Sequence, residues 1–297
     1  MSAPPPSQST ANMPLARGAP VVLLVDNGSL EPAATLALRA LAARLAADTQ
    51  RAVRPVSLLH SSTVDPARLA GRPAEILEPV LRALGAVGAG DVVVVPLFLG
   101  PSAAVTEYLP ARVRHLRRTW PHLQVRLAPC LVDLSRSDDA RIATLLAERT
   151  RGAAAAAGFS RPAVAVVDHG TPRREVNAVR EHVTAQVRAL LGGWTRVVAA
   201  SSMERRPGAE HDFNEPLLET LLDTTEFASG EVVVAQLFLQ PGRHAGPGGD
   251  IEQIVRAAQT RHPGLRVAMT EPLGSHPGLV AILAERLAEG LRAEAIE

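Results

Sequence analysis

At 297 residues, 46% of them hydrophobic, the chain is long enough for about two domains with ordinary cores. Its 31 Lys and Arg against 30 Asp and Glu leave a net charge of +1, so global charge points to neither nucleic acid nor a membrane surface as partner. A single cysteine, Cys130, excludes an internal disulfide and any site built from several thiolates of one chain; it reads as a small buried hydrophobe near a strand end.

Residues 1–18, rich in Pro, Ser and Ala, lack an apolar signal-peptide core and read as a disordered tail. No apolar run reaches the roughly 18 residues of a membrane span, so a soluble cytoplasmic protein is expected. Strands are predicted at 21–25, 53–59, 92–97 and 123–128, with helices at 33–47, 74–84, 106–118 and 139–151. The pattern then repeats, with strands at 163–167, 196–200, 232–238 and 265–269 and helices at 175–191, 215–222, 251–259 and 279–291. Runs of Val and Leu without polar alternation are strands covered on both faces, as in parallel sheets, and the intervening helices make right-handed crossovers. The fold class expected is α/β, two similar doubly wound domains with four-stranded parallel sheets related by a pseudo-twofold. The expected boundaries are 19–151 for a degenerate domain, 152–161 for a linker and 162–297 for the domain carrying the site.

The repeat is unequal. Val21 to Ser29 (VVLLVDNGS) returns as Ala163 to Thr171 (AVAVVDHGT), and Val92 to Leu99 (VVVVPLFL) as Val232 to Leu239 (VVVAQLFL). Where the second copy has His169 the first has Asn27, 142 residues earlier, and opposite His244 it has Ala104, 140 earlier. In open α/β sheets ligands bind beyond the carboxyl ends of the strands, where the strand order switches. His169 and His244 follow the first and third strands of the second half and would face one cleft; each alone also fits a hydrogen-bonding loop residue.

Other residues of that edge admit two readings each. Gly246, Gly248 and Gly249 form neither G-x-G-x-x-G nor a P-loop, and they suit a backbone passing close to a large flat ligand. Glu204, after the second strand, is either functional or a surface ion-pair partner; Glu215 fits a carboxylate at a helix N-terminus. Arg173, Arg174, Arg205, Arg206 and Arg243 are solvated cations singly, but together suit a ligand with several carboxylates.

D-H-G-T after one strand and L-F-L-Q-P-G-R-H-A-G-P-G-G-D-I after another, with M-E-R-R-P and F-N-E-P-L-L between, resemble the class II tetrapyrrole chelatases of the CbiX/SirB type, in their tandem two-domain form. The resemblance is clearest over 162–291 and weaker over 21–150. It implies a sirohydrochlorin cobaltochelatase or ferrochelatase of cobalamin or siroheme biosynthesis. His169, His244 and Glu204 would serve as metal ligands and proton acceptors, and Arg173, Arg205, Arg206, Arg243 and Gly246 as contacts to the substrate. No prosthetic group is implied, only a divalent metal substrate, cobalt or iron, and a sirohydrochlorin-like tetrapyrrole; both monomer and homodimer remain open.

Insertion exchanges two pyrrolic protons for one cation. Imidazole binds borderline metals and also accepts protons, and two or three protein ligands leave coordination positions open for handing the metal on. The competing readings are a metal or tetrapyrrole carrier without catalysis, and a transferase or hydrolase with a histidine base. The absence of G-x-S-x-G leaves the last without a nucleophile motif.

Overall fold

Eight strands, all paired in parallel, organise residues 19–297, the part described by the computed structural model. In the first half β1 (Val21–Asp26), β2 (Val53–Ser57), β3 (Asp91–Pro96) and β4 (Gln124–Leu127) lie in the order β2-β1-β3-β4. In the second, β5 (Ala163–Asp168), β6 (Val198–Ser202), β7 (Gly230–Gln236) and β8 (Leu265–Met269) repeat it as β6-β5-β7-β8. The chain leaves β1 on one side and returns on the other as β3. The loops at the carboxyl ends of those neighbours diverge there and open a crevice. The tail expected over 1–18 lies outside the described residues.

The central strands bury both faces, and their side chains alternate between two cores. Val22, Leu24, Val93 and Val95 face the middle of the molecule, whereas Val21, Leu23, Val92 and Val94 face outward onto α2 (Leu77–Ala86) and α3 (Leu109–Arg117). In the second half Val164, Val166 and Val233 face the middle, and Ala163, Ala165 and Val232 face α6 (Leu218–Leu222) and α7 (Asp250–Arg261). A one-residue slip in register would exchange these sets, which pins the pairing.

Between the sheets lies a shared layer of four helices, α1 (Pro32–Thr49), α4 (Arg141–Ala156), α5 (Arg174–Leu191) and α8 (Leu279–Gly290), in one continuous apolar cluster. Here the structure departs from two self-contained units. The last helix of each half covers the other half's sheet: α4 packs on β7, β8 and α5, and α8 on β3 and α1. Gly290 permits the second contact, since a Cβ there would come within 2.7 Å of Ala128. Beyond it the Ile296 N–H donates to the Val125 carbonyl at 2.8 Å. The apolar stripe of α4 (Ile142, Leu145, Leu146) records that the helix is buried and carries no mark of which sheet buries it. The helix also runs through Gly152 to Ala156, taking in half of the segment expected as a linker.

An ion pair made by a buried arginine joins the exchanged parts. Arg286 of α8, fully buried, donates to the Leu131 carbonyl at 3.0 Å and to Asp139 at 3.2 Å, both in the loop between β4 and α4. Cys130 in that loop is partly buried, and burial pushes its thiol up to about 11, so it carries no thiolate at neutral pH.

Candidate functional site: a histidine pair at the strand switch

The site begins with the turn that ends β5. Gly170 adopts φ +89°, and a Cβ on it would fall 1.9 Å from the Glu204 carbonyl oxygen, so only glycine lets the β5 turn lie against the segment after β6. The Glu204 N–H donates to the His169 carbonyl at 3.2 Å across this contact. It brings Glu204 Oε1 to 3.6 Å from His169 Nε2, while His169 Nδ1 lies 3.1 Å from the Gly170 carbonyl.

Beneath this turn Asp168 is mostly buried but provided for. It accepts from Ser202 Oγ at 2.7 Å and from the Gly170 N–H at 3.1 Å, with Arg180 at 3.8 Å. Burial raises its pKa and Arg180 opposes the rise. Arg180, itself buried, also donates to Ser202 and to the carbonyls of Asn214 (3.0 Å) and Phe213 (3.2 Å). Asn214 in turn clamps Thr171, accepting from its N–H and donating to its carbonyl, each at 2.9 Å. The F-N-E-P segment thus works through Asn214, which braces the histidine turn.

His244 comes from the loop between β7 and α7. Asp250, the first residue of α7, receives its Nδ1 at 2.6 Å. The rings of His169 and His244 stand edge to face with centroids 4.6 Å apart and planes at 77°. With Nδ1 donating to a carboxylate, Nε2 is the nitrogen whose lone pair is free for a metal or a proton. Asp250 went unassigned in the sequence, although its place six residues after His244, at a helix start behind glycines, was the available signal.

A cleft of about 500 Å³ separates the halves, with Asp26, Asn27 and Ser29 on one wall and His169, Arg243 and His244 on the other. Among the described residues no three His, Cys, Asp or Glu side chains are grouped to hold a metal ion. The two imidazoles form the centre, with Glu204 at its exposed edge.

The arginines are distributed differently from the sequence-based expectation of a common rim. Arg173 pairs with Glu107 of the first half, and Arg205 with Glu215 at 2.7 Å and Asp212 at 3.2 Å. Arg174 lies over the Phe213 ring at 4.7 Å. Arg206 is exposed, and Arg243, more than three-quarters exposed, is the one arginine of the five that lines the cleft. Local carboxylates and the ring take Arg173, Arg205 and Arg174, whose partners lie on the same loops or just across the interface, and Arg243 Nε itself lies 3.6 Å from Asp250 Oδ2. Glu215 also accepts the Leu217 N–H at 2.9 Å, which together with Arg205 accounts for it as a structural carboxylate. Gly246 stands outside the cleft wall, its carbonyl accepting the Gly249 N–H at 3.0 Å and closing the loop.

The first half repeats the framework without the chemistry. Gly28 also has φ +89°, a Cβ there would fall 1.8 Å from the Leu59 carbonyl, and the Leu59 N–H donates to the Asn27 carbonyl at 3.2 Å. Leu59 is therefore the counterpart of Glu204, so Asn27 and Leu59 stand where the second half has His169 and Glu204, and by spacing Ala104 falls opposite His244. The sequence paired only the outer two, because the spacing to Leu59 is 145 residues rather than 142.

Fold and site together define a tandem doubly wound α/β protein with one two-histidine cleft. The CbiX family model matches residues 21–153 and 163–290, and the chain belongs to that family. Similar solved structures include SirB from Bacillus subtilis with Fe3+, at 15% identity over 91% of this chain and 94% of that one, with a TM-score of 0.65. The sirohydrochlorin chelatase SirB from Bacillus subtilis subspecies spizizenii in complex with cobalt shares 16% identity over 93% and 99%, with a TM-score of 0.64. CbiX, described as the terminal enzyme for biosynthesis of siroheme in denitrifying bacteria, shares 20% over 90% and 98%, with a TM-score of 0.59. These likenesses establish the fold. Comparison with curated proteins finds no match. No helix among the described residues is long and apolar enough to cross a membrane.

Proposed function

We propose that this protein inserts a divalent metal, cobalt or iron, into sirohydrochlorin, as a step of cobalamin or siroheme synthesis. The observation that carries the reading is the His169–His244 pair, 4.6 Å apart at the strand switch, with Asp250 orienting one ring. Family membership and the printed names of SirB and CbiX supply the substrate class.

In this reading the Nε2 atoms of His169 and His244 receive the metal substrate, leaving its remaining positions open to the tetrapyrrole nitrogens. Each N–H proton displaced by the metal passes to a base. Glu204, exposed beside His169, takes the two in turn and passes each to water. The first half completes the wall through Asp26, Asn27 and Ser29. Arg243 and Arg206 meet the carboxylates of the substrate, whereas Arg173 and Arg205 hold the loops together through Glu107 and Glu215. Two imidazoles and a carboxylate suit both cobalt(II) and iron(II), so selection between them rests on supply.

The test is an optical metallation assay of sirohydrochlorin with each metal, comparing the wild-type protein with His169→Ala and His244→Ala. Each variant is expected to lose most of the rate; full rates in both would overturn the site. Tight metal binding with no acceleration over the spontaneous reaction would instead support a carrier.

A further inference from the structure

Asp26 and Asp168 occupy equivalent strand ends, 142 residues apart, but only Asp168 has a cation of its own. The position equivalent to Arg180 on the 18-residue helix α1 is Leu38, which lies buried in the central core. Asp26 is only 7% exposed, and its Oδ1 has no hydrogen-bond partner. Burial lifts its carboxyl to about 6 against the pull of the Ser57 hydroxyl and the Gly28 N–H, so it is mostly ionised at neutral pH and needs a donor.

A donor to its other oxygen, Oδ2, comes from the other half. Gln240 lies at the start of the loop carrying His244, with its amide facing Asp26 Oδ2 at 3.1 Å and the Ala34 carbonyl at 3.0 Å. Both neighbours are acceptors, so the amide presents its nitrogen and donates to both. The reverse tether does not exist. The position equivalent to Gln240 is Gly100, where even a Cβ would come within 2.5 Å of Val179 on α5. One strand-end carboxylate is satisfied inside its own half, and the other holds the loop of its neighbour.

We propose that Asp26 is a positioning residue for the metal-handling loop: through Gln240 it fixes the segment that carries His244 toward His169, so the half lacking both histidines contributes directly to the geometry of the site. The loop needs such a hold. It is rich in glycine, and the Ser29 hydroxyl of the first half also lies near Gly242. The activity arm of the test rests on the chelatase reading; the binding arm does not.

Asp26→Ala and Gln240→Ala are each expected to lower kcat for metallation about tenfold, the equivalent of one hydrogen bond to a charged group, with KM for sirohydrochlorin within about twofold. The double variant should fall no further than the weaker single, since one interaction is removed in all three. Asp26→Asn keeps an acceptor oxygen and should recover most of the rate. Multiplicative losses, or a wild-type kcat in Gln240→Ala, would overturn the proposal. Gln240→Ala alone decides it where Asp26→Ala does not fold. The second readout is cobalt(II) titration followed by visible absorption. If Gln240→Ala weakens cobalt binding about tenfold the tether stands, and if binding is unchanged it falls, even where the wild-type protein fails to metallate sirohydrochlorin and the chelatase reading is lost.

Discussion

Asp250 Oδ2 lies 2.6 Å from His244 Nδ1, from the first residue of the helix that follows the loop. A carboxylate held on a helix fixes both the ring and its tautomer, and directs Nε2 into the cleft beside His169. Asp250→Asn keeps the size but presents an amide that can satisfy the other tautomer. Metal affinity or activity is expected to fall about 10- to 100-fold, with the larger loss in His244→Ala. Metal titration and steady-state kinetics on both variants check this.

Glu204→Leu copies into the second half the residue found at the equivalent place in the first, Leu59. The Glu204 side chain is mostly exposed, so stability should change by less than about 0.5 kcal/mol. If Glu204 carries protons, kcat should fall about 100-fold while metal affinity changes far less. Equal losses in both would make it a ligand instead.

Asp26 sets a pH dependence of stability. Burial lifts its carboxyl in the folded protein to about 6, above the usual 3.8, so the fold favours the protonated form. That contribution is fully present below about pH 4 and is lost as pH rises through 6; above this, burying the carboxylate costs up to about 3 kcal/mol, reduced by the Gln240 amide that donates to it. Asp26→Asn is therefore expected to stabilise the protein by up to that amount at pH 7.5, with the difference vanishing toward pH 4. Denaturant unfolding at the two pH values measures it. A constant difference would show that the carboxyl is not strained by burial.

Arg286→Met tests the helix exchange. Its removal leaves the Leu131 carbonyl without its buried donor, whereas Asp139 keeps Arg141, for a loss of about 1–3 kcal/mol. Asp139 is held down at about 2, chiefly by Arg141, and so stays charged through the working range. Because α8 covers the first sheet and α4 the second, both halves should unfold in one transition in the wild-type protein. Chemical denaturation monitored separately by Trp120 and Trp194 would show this.

That the two histidines meet at one edge was legible in one dimension because the chain contains its own control. Asn27 against His169 and Ala104 against His244 are differences at fixed spacing, and the strand pattern placed both histidines on one edge. Leu59 against Glu204 escaped because an insertion shifts the spacing by three residues, which only the backbone contacts of Gly28 and Gly170 correct. A sequence shows the charges of the arginines but not that Arg173 faces Glu107 and Arg205 faces Glu215.

By itself the sequence determined the parallel strands, their doubly wound order of helices and the half that carries the imidazoles, since these depend on local runs of Val and Leu and on which residues are present. The tertiary structure alone decided that α4 and α8 change places, that Arg180 serves Asp168, and that Asp26, lacking such a cation, takes Gln240 from the facing loop. Those are pairings between segments far apart in the chain. An apolar stripe or a carboxylate shows that a partner is required, and only the packed molecule shows which one it takes.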